Sequence, residues 1–106
     1  MKVVITGTSQ GIGKAIAETF IKSGHTVIGI DRQEQTIADP SYTHYQCDVR
    51  DREKLPEIEG VEILINNAGT QNEDDIDINL KALISKISRS KQRRENLFAF
   101  TFFLIY

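Results

Sequence analysis

One short segment, Thr6-Gly7-Thr8-Ser9-Gln10-Gly11-Ile12-Gly13, limits what this chain can fold into more than any other. It lies between an apolar run, Val3-Val4-Ile5, and an amphipathic stretch from Lys14 to Ser23. A buried strand that passes into a helix through three glycines can bring an anion against its backbone. The free N–H groups of the first helical turn and the positive end of the helix dipole hold a phosphate there. A Cβ at the contact positions would keep the anion away, and some of these positions call for φ > 0. On this reading Gly7 makes the turn, Gly11 allows close approach and Gly13 lets the helix pack on the strand. The alternative is a merely flexible strand–helix loop, but the strand before and the helix after meet the context the pattern requires.

Gly24, following Ser23, reads as the C′ residue that ends the helix. His25-Thr26-Val27-Ile28-Gly29-Ile30 then reads as a second strand ending at Asp31. A carboxylate at the end of a second strand, roughly twenty residues past the glycines, is where a dinucleotide fold binds the adenosine ribose diol. The alternative for Asp31 is a solvated strand-end acid. Its charge repels a 2′-phosphate and favours NAD over NADP. Arg32, a basic neighbour able to accept that phosphate, pulls the other way, while Gln10 adds no second positive charge to the loop.

Two further motifs follow at regular intervals. Asp48-Val49 comes after a third strand (Thr43 to Cys47), and Asn66-Asn67-Ala68-Gly69 after a fourth (Glu62 to Ile65). With the glycine turn they make residues 1–82 resemble the short-chain dehydrogenase/reductase family. The resemblance implies an α/β, Rossmann-like doubly wound parallel sheet of strand order 3-2-1-4, with nicotinamide dinucleotide at the carboxyl ends of the strands. It further implies that Gly7 to Gly13 take the pyrophosphate and that Asp31, with Arg32 beside it, takes the adenosine ribose. Asp48 and Val49 would line the adenine pocket, and Asn67, Ala68 and Gly69 would steady the central strand and touch the cofactor. Asp77-Ile78-Asn79-Leu80 resembles the segment whose Asn holds a helix kink and a proton-relay water, which makes Asn79 the catalytic residue the resemblance leaves.

The family's catalytic Tyr and Lys stand four residues apart on a helix. The tyrosines here are Tyr42, Tyr45 and Tyr106; Gln46 and Val49 stand four residues after the first two. Without a Tyr-x-x-x-Lys pair the general acid is missing, and the expectation is a dinucleotide-binding protein of oxidoreductase ancestry whose catalytic centre is incomplete. A non-enzymatic nucleotide-binding or assembly module, or an inactive remnant, is the alternative.

Charge divides the chain. Residues 1–80 hold 7 Lys+Arg against 14 Asp+Glu, and residues 81–106 hold 6 against one, with four of the five Phe among the last nine residues. This shift suggests a family-like part, 1–82, followed by a divergent basic and aromatic tail, 83–106, packed on the same domain. A shifted or replaced reading frame would explain it, and a minimal protein in its own right is the alternative.

The patterning predicts strands at 2–6, 25–30, 42–47 and 61–66, helices at 11–23, 51–58 and 76–90, and loops between them. Strand 4 would be an edge, and the uncharged run 97–106 has the β propensity to add a strand there, in cis or across a homo-oligomer. The apolar face of helix 76–90 is the other surface for self-association. The basic stretch Lys86 to Arg94 reads as a solvated helix face, so neither a nucleic acid nor a membrane partner is expected. One cysteine, Cys47, excludes an internal disulfide and a cysteine-based metal set, and no metal is expected. A start that leads directly into a strand, and apolar runs short of the roughly 20 residues that span a bilayer, make the cytoplasm the expected compartment. His25 and His44 read as structural.

Overall fold

The computed structural model describes residues 1–67 and 83–86 and the backbone of 98–101. Five strands, β1 (Lys2–Thr6), β2 (Thr26–Asp31), β3 (Tyr42–Gln46), β4 (Ile63–Asn66) and β5 (Phe98–Thr101), form one sheet of order β3-β2-β1-β4-β5. Every pairing is parallel. β1 lies at the centre, in register with β2 through Val3↔Val27 and Ile5↔Gly29, and with β4 through Val3↔Ile63 and Ile5↔Ile65. The chain winds outward from β1 through β2 to β3, then returns to the far side of β1 for β4. This reversal opens a crevice at the carboxyl ends of β1 and β4, where α/β sheets take ligands.

Alternation along the strands sorts the core into two layers, because successive side chains leave opposite faces of a sheet. Val3, Ile5, Val27 and Ile65 pack with Ala17, Ile37 and Tyr42 on the face covered by the helix α1 (Gly11–Lys22). Val4, Ile28, Ile30 and Leu64 pack on the other face with Val49, Leu55, Ile58, Val61 and Leu83. Both faces are covered, which is why β1 and β2 read as nearly continuous apolar runs.

The helix α1 stops in a Schellman motif. Gly24, at φ 87°, donates its N–H to the Ile21 carbonyl, and His25 donates its N–H to the Phe20 carbonyl. The Phe20 and His25 rings meet edge to face at 5.7 Å, the contact between C3 and C″ that accompanies this cap. His25 therefore belongs to the cap, and β2 begins one residue later than the pattern suggests.

The helix expected over 51–58 is instead a single 3-10 turn, Arg52–Lys54. Asp51 makes no side-chain capping bond, and Leu55, held extended at ψ 131° by the following Pro56, ends the turn. The segment stays in place because Leu55, Ile58 and Val61 are buried in the second layer. β3 also differs from an apolar strand: only Tyr42 of Tyr-Thr-His-Tyr-Gln is buried, as befits an edge.

β5 adds a fifth strand beside β4, from Ile63↔Phe98 to Asn66↔Thr101, as the β-rich tail suggests. Of the helix expected at 76–90, residues 83–86 are described, and they are helical, with Leu83 buried in the core. The remainder of that helix, the 67–75 loop beyond Asn67 and the boundary at 82/83 lie outside the described residues.

Candidate functional site

The carboxyl end of β1 passes into α1 through a turn that glycine alone can make. Gly7 and Gly11 take φ of 76° and 63°. Gly7 N–H donates to the Ile30 carbonyl at 2.8 Å, which joins the ends of β1 and β2. A Cβ at Gly13 would fall on the Gly7 carbonyl oxygen and against Asn67 Nδ2, whereas one at Gly11 would meet nothing within 4 Å. The two glycines therefore do different work. Gly13 seats the helix on the turn, and Gly11 leaves open space at its mouth.

Among the described residues no side chain caps the N-terminus of the helix. Gln10, the N-cap, is extended at φ −159° and makes no side-chain capping bond, and the first turn contains no acid. The first helical bond, Lys14 N–H to the Gln10 carbonyl, is long at 3.5 Å. Gln10, Gly11 and Ile12 are exposed. N–H groups with a positive dipole end and no capping side chain suit an anion.

Asp31 stands beside this turn at the end of β2. Its Oδ2 accepts from Ser9 N–H at 2.9 Å and its Oδ1 from Gln33 N–H at 2.8 Å. Each carboxylate oxygen keeps a second lone pair, so two donors more can be taken. The loop that follows is laced to Ser9. The buried Ser9 hydroxyl donates to the Glu34 carbonyl at 2.8 Å, and the Thr36 hydroxyl donates to the Ser9 carbonyl at 2.7 Å. Arg32 is exposed, and its carbonyl accepts from Gln46 Nε2.

Past β3, Asp48 is held by Arg50. Arg50 N–H donates to Oδ1 at 2.9 Å and Nη2 to Oδ2 at 2.8 Å. The Arg50 side chain, then its backbone N–H, lowers the Asp48 pKa to about 2. Val49 is a core residue, buried with Val4, Ile28 and Leu64 in the second layer. Cys47, partly buried, has its thiol pKa raised by burial and by the nearby Asp51 and Asp48 carboxylates.

On the other side of β1 the Thr6 hydroxyl bridges two strands, donating to Asn66 Oδ1 at 3.1 Å and accepting from Asn67 N–H at 2.9 Å. Asn67 Nδ2 reaches towards the Gly7 carbonyl, and its buried Oδ1 has no hydrogen-bond partner among the described residues. The turn through Gly7, Ser9, Gln10, Gly11, Ile12 and Gly13 thus meets Asp31 through the Ser9 N–H and Asn67 through the Gly7 carbonyl at the carboxyl ends of β1, β2 and β4, with Asp48 and Val49 following β3. Ala68, Gly69 and Asn79 lie outside the described residues. Among these no group of three His, Cys, Asp or Glu could hold a metal ion.

Three residues at this site escape the motif reading: Thr8, Tyr42 and His44. Thr8 Oγ1 and Tyr42 Oη lie 2.6 Å apart over Gly29, where a Cβ would strike both atoms. Gly29, alone among the β-branched residues of β2, is the one trace of this contact in the sequence, since a glycine within a strand marks close approach.

The pattern of short chain dehydrogenases matches residues 1–89. The chain belongs to that family. Among curated relatives, the uncharacterized oxidoreductase DltE of Bacillus subtilis is 37% identical over 69% of this chain and 34% of its own length. The NADPH-dependent pterin aldehyde reductase of Arabidopsis thaliana is 33% identical over 68% of this chain and 36% of its own. The 15-hydroxyprostaglandin dehydrogenase [NAD(+)] of Bos taurus is 32% identical over 77% and 40%. The chain thus spans little more than a third of the length of such relatives. Serine dehydrogenase from Escherichia coli shares the fold at a TM-score of 0.72 and 24% identity, over 95% of this chain and 61% of that one. What this chain shares with short-chain dehydrogenases is the Rossmann-like part that contains the glycine turn.

Proposed function

We propose that this chain binds nicotinamide dinucleotide in the crevice between the glycine turn and Asp31, and takes NAD in preference to NADP. The uncapped start of α1, seated by Gly13 on the Gly7 carbonyl, carries this reading. In it the pyrophosphate lies across Gly11 and Ile12 and the adenosine ribose hydroxyls donate to Asp31. Adenine rests by Asp48 and Val49.

The NAD preference rests on Asp31. Two backbone N–H groups hold its carboxylate in place, so it cannot turn away from a 2′-phosphate. Arg32, whose backbone carbonyl is tied to Gln46, is the one competitor on this strand end. Cofactor use is divided among the relatives, one being named for NADPH and another for NAD(+).

Hydride transfer needs a proton donor at the substrate carbonyl. The 106 residues contain no Tyr-x-x-x-Lys, so by themselves they hold the cofactor without turning it over. Asn79 is the catalytic residue the family motif assigns to them. Titration of the purified chain with NAD and with NADP tests the reading. Binding with NAD preferred supports it, and a folded protein that binds neither refutes it.

Self-association through the outer edge of β5 is the second part of the proposal, because among the described residues β5 ends the sheet and pairs only with β4. Light scattering on the full chain and on a chain ending at residue 95 would differ if this edge pairs. No helix among the described residues is long and apolar enough to cross a membrane. A free thiol at Cys47 suits a reducing compartment, and we place the chain in the cytoplasm.

A further inference from the structure

A continuous chain of hydrogen bonds crosses the site beneath the ligand crevice. Thr8 Oγ1 meets Tyr42 Oη at 2.6 Å, Tyr42 Oη meets His44 Nδ1 at 2.6 Å, and His44 Nε2 meets the Gln33 carbonyl at 2.9 Å. Thr8 is fully buried and Tyr42 is 6% exposed. The chain has a direction. The Gln33 carbonyl can only accept, so in the neutral imidazole Nε2 carries the proton and Nδ1 is the acceptor. The Tyr42 hydroxyl then donates to Nδ1 and accepts from the Thr8 hydroxyl. Burial, opposed in part by the Thr8 bond and aided by the Asp31 charge, raises the phenol's pKa and keeps the proton on this donor.

The two ends of this chain are the two parts of the site that no strand ladder fixes. Thr8 sits within the glycine turn. Gln33 belongs to the loop after β2, and its N–H holds Asp31. The same loop grips Ser9 through the Glu34 carbonyl and the Thr36 hydroxyl. β3 supplies both Tyr42 and His44, two positions apart, so one face of an edge strand reaches across Gly29 to the turn and outward to the loop.

We propose that Tyr42 and His44 are positioning residues: acting through the Tyr42 hydroxyl and the His44 ring, they lock the glycine turn and the Asp31 loop into one arrangement before any ligand arrives. That this arrangement receives the adenosine end of a dinucleotide rests on the function proposed above. Tyr42 and His44 touch no part of the ligand in that reading. Their effect on affinity comes from pre-organisation, since a turn that is already ordered need not be ordered on binding.

The experiment compares the wild-type chain with Tyr42→Phe, Thr8→Val, the double variant and Thr8→Ser. Amide hydrogen exchange of the ligand-free proteins comes first. Tyr42→Phe should speed exchange at the Ser9 and Gln33 amides about tenfold and leave Val4 and Ile28 unchanged. NAD titration follows. Thr8→Val, which removes one hydrogen bond, should raise Kd about fivefold to tenfold, and Tyr42→Phe, which also removes the bond to His44, by at least as much. The double variant should bind no worse than Tyr42→Phe alone, because loss of the Tyr42 hydroxyl already breaks the bond to Thr8. Thr8→Ser, which keeps the oxygen, should recover most of what Thr8→Val loses.

Unchanged exchange at Ser9 and Gln33 overturns the proposal. So does a double variant whose loss is the product of the single losses, or a Tyr42→Phe chain that melts lower yet binds NAD as the wild type does. A wild-type chain that binds no NAD while Tyr42→Phe still frees the two amides refutes the functional reading and leaves the lock standing.

Discussion

Gly11 and Gly13 look alike in the sequence, and the structure gives them opposite consequences when changed. A side chain at Gly13 collides with backbone, so Gly13→Val should cost stability first, on the order of several kcal/mol, as overpacking against an immovable carbonyl does; chemical denaturation reads this. Gly11→Ala faces open space and bears only the left-handed strain of about 1–2 kcal/mol. It should fold and lose dinucleotide affinity. Asp31 is the next informative residue. In Asp31→Asn the carboxylate charge is gone, and NADP should gain on NAD by at least about tenfold, measured as the ratio of the two Kd values. Asp48 answers to acid. Its pKa lies at about 2 in the folded protein, below the unfolded value of 3.8. A depressed carboxylate pKa gives stability that is present above the unfolded pKa and is lost as pH falls through the folded one. The window is therefore from about pH 4 down to 2. Arg50→Ala should return the Asp48 titration, followed by carboxyl carbon shifts, to the ordinary range and remove its share of that acid dependence.

The elements explain which parts of the site the sequence discloses. The glycine turn, Asp31 and the asparagines at the end of β4 were legible because each sits where a strand hands over to a loop, and such junctions impose residue types at fixed spacing. The contact between Thr8 and Tyr42 joins residues 34 positions apart and depends on the register of β3 against β2, which no local pattern encodes. The misplaced helix at 51–58 has a local cause: Pro56 forces Leu55 out of the helical region, and packing of Leu55 and Ile58 took precedence over propensity. Gly29→Ala tests the β2–β3 contact at this scale. The added methyl must displace the Tyr42 hydroxyl or Thr8, and the expected cost is about 1–3 kcal/mol in a urea melt. β5 offers a second test. Removing residues 96–106 strips the partner from the outer edge of β4 and should lower Tm by about 5 °C or more. An unchanged melting temperature would mean that the tail contributes nothing to the fold.

Across the whole molecule, the order β3-β2-β1-β4-β5 places the glycine turn, Asp31 and the end of β3 on one side of the central strand and Asn66-Asn67 on the other. The site is thus an outcome of topology, and it forms at the reversal point of the winding. The acidic family-like part and the basic tail, so different in composition, meet in one sheet, because parallel pairing needs ladder geometry and apolar faces and is indifferent to net charge. In the proposed reading the described residues take the adenosine and pyrophosphate side of a dinucleotide. The central claim is that the turn at the head of α1 is an anion cradle kept open at Gly11. Titration calorimetry of NAD into the wild-type chain and into Gly11→Ala, with both shown to be folded by their melting curves, tests it most directly. The account predicts binding to the wild type and a loss of at least about tenfold in the variant. Equal affinity in the two proteins would contradict it.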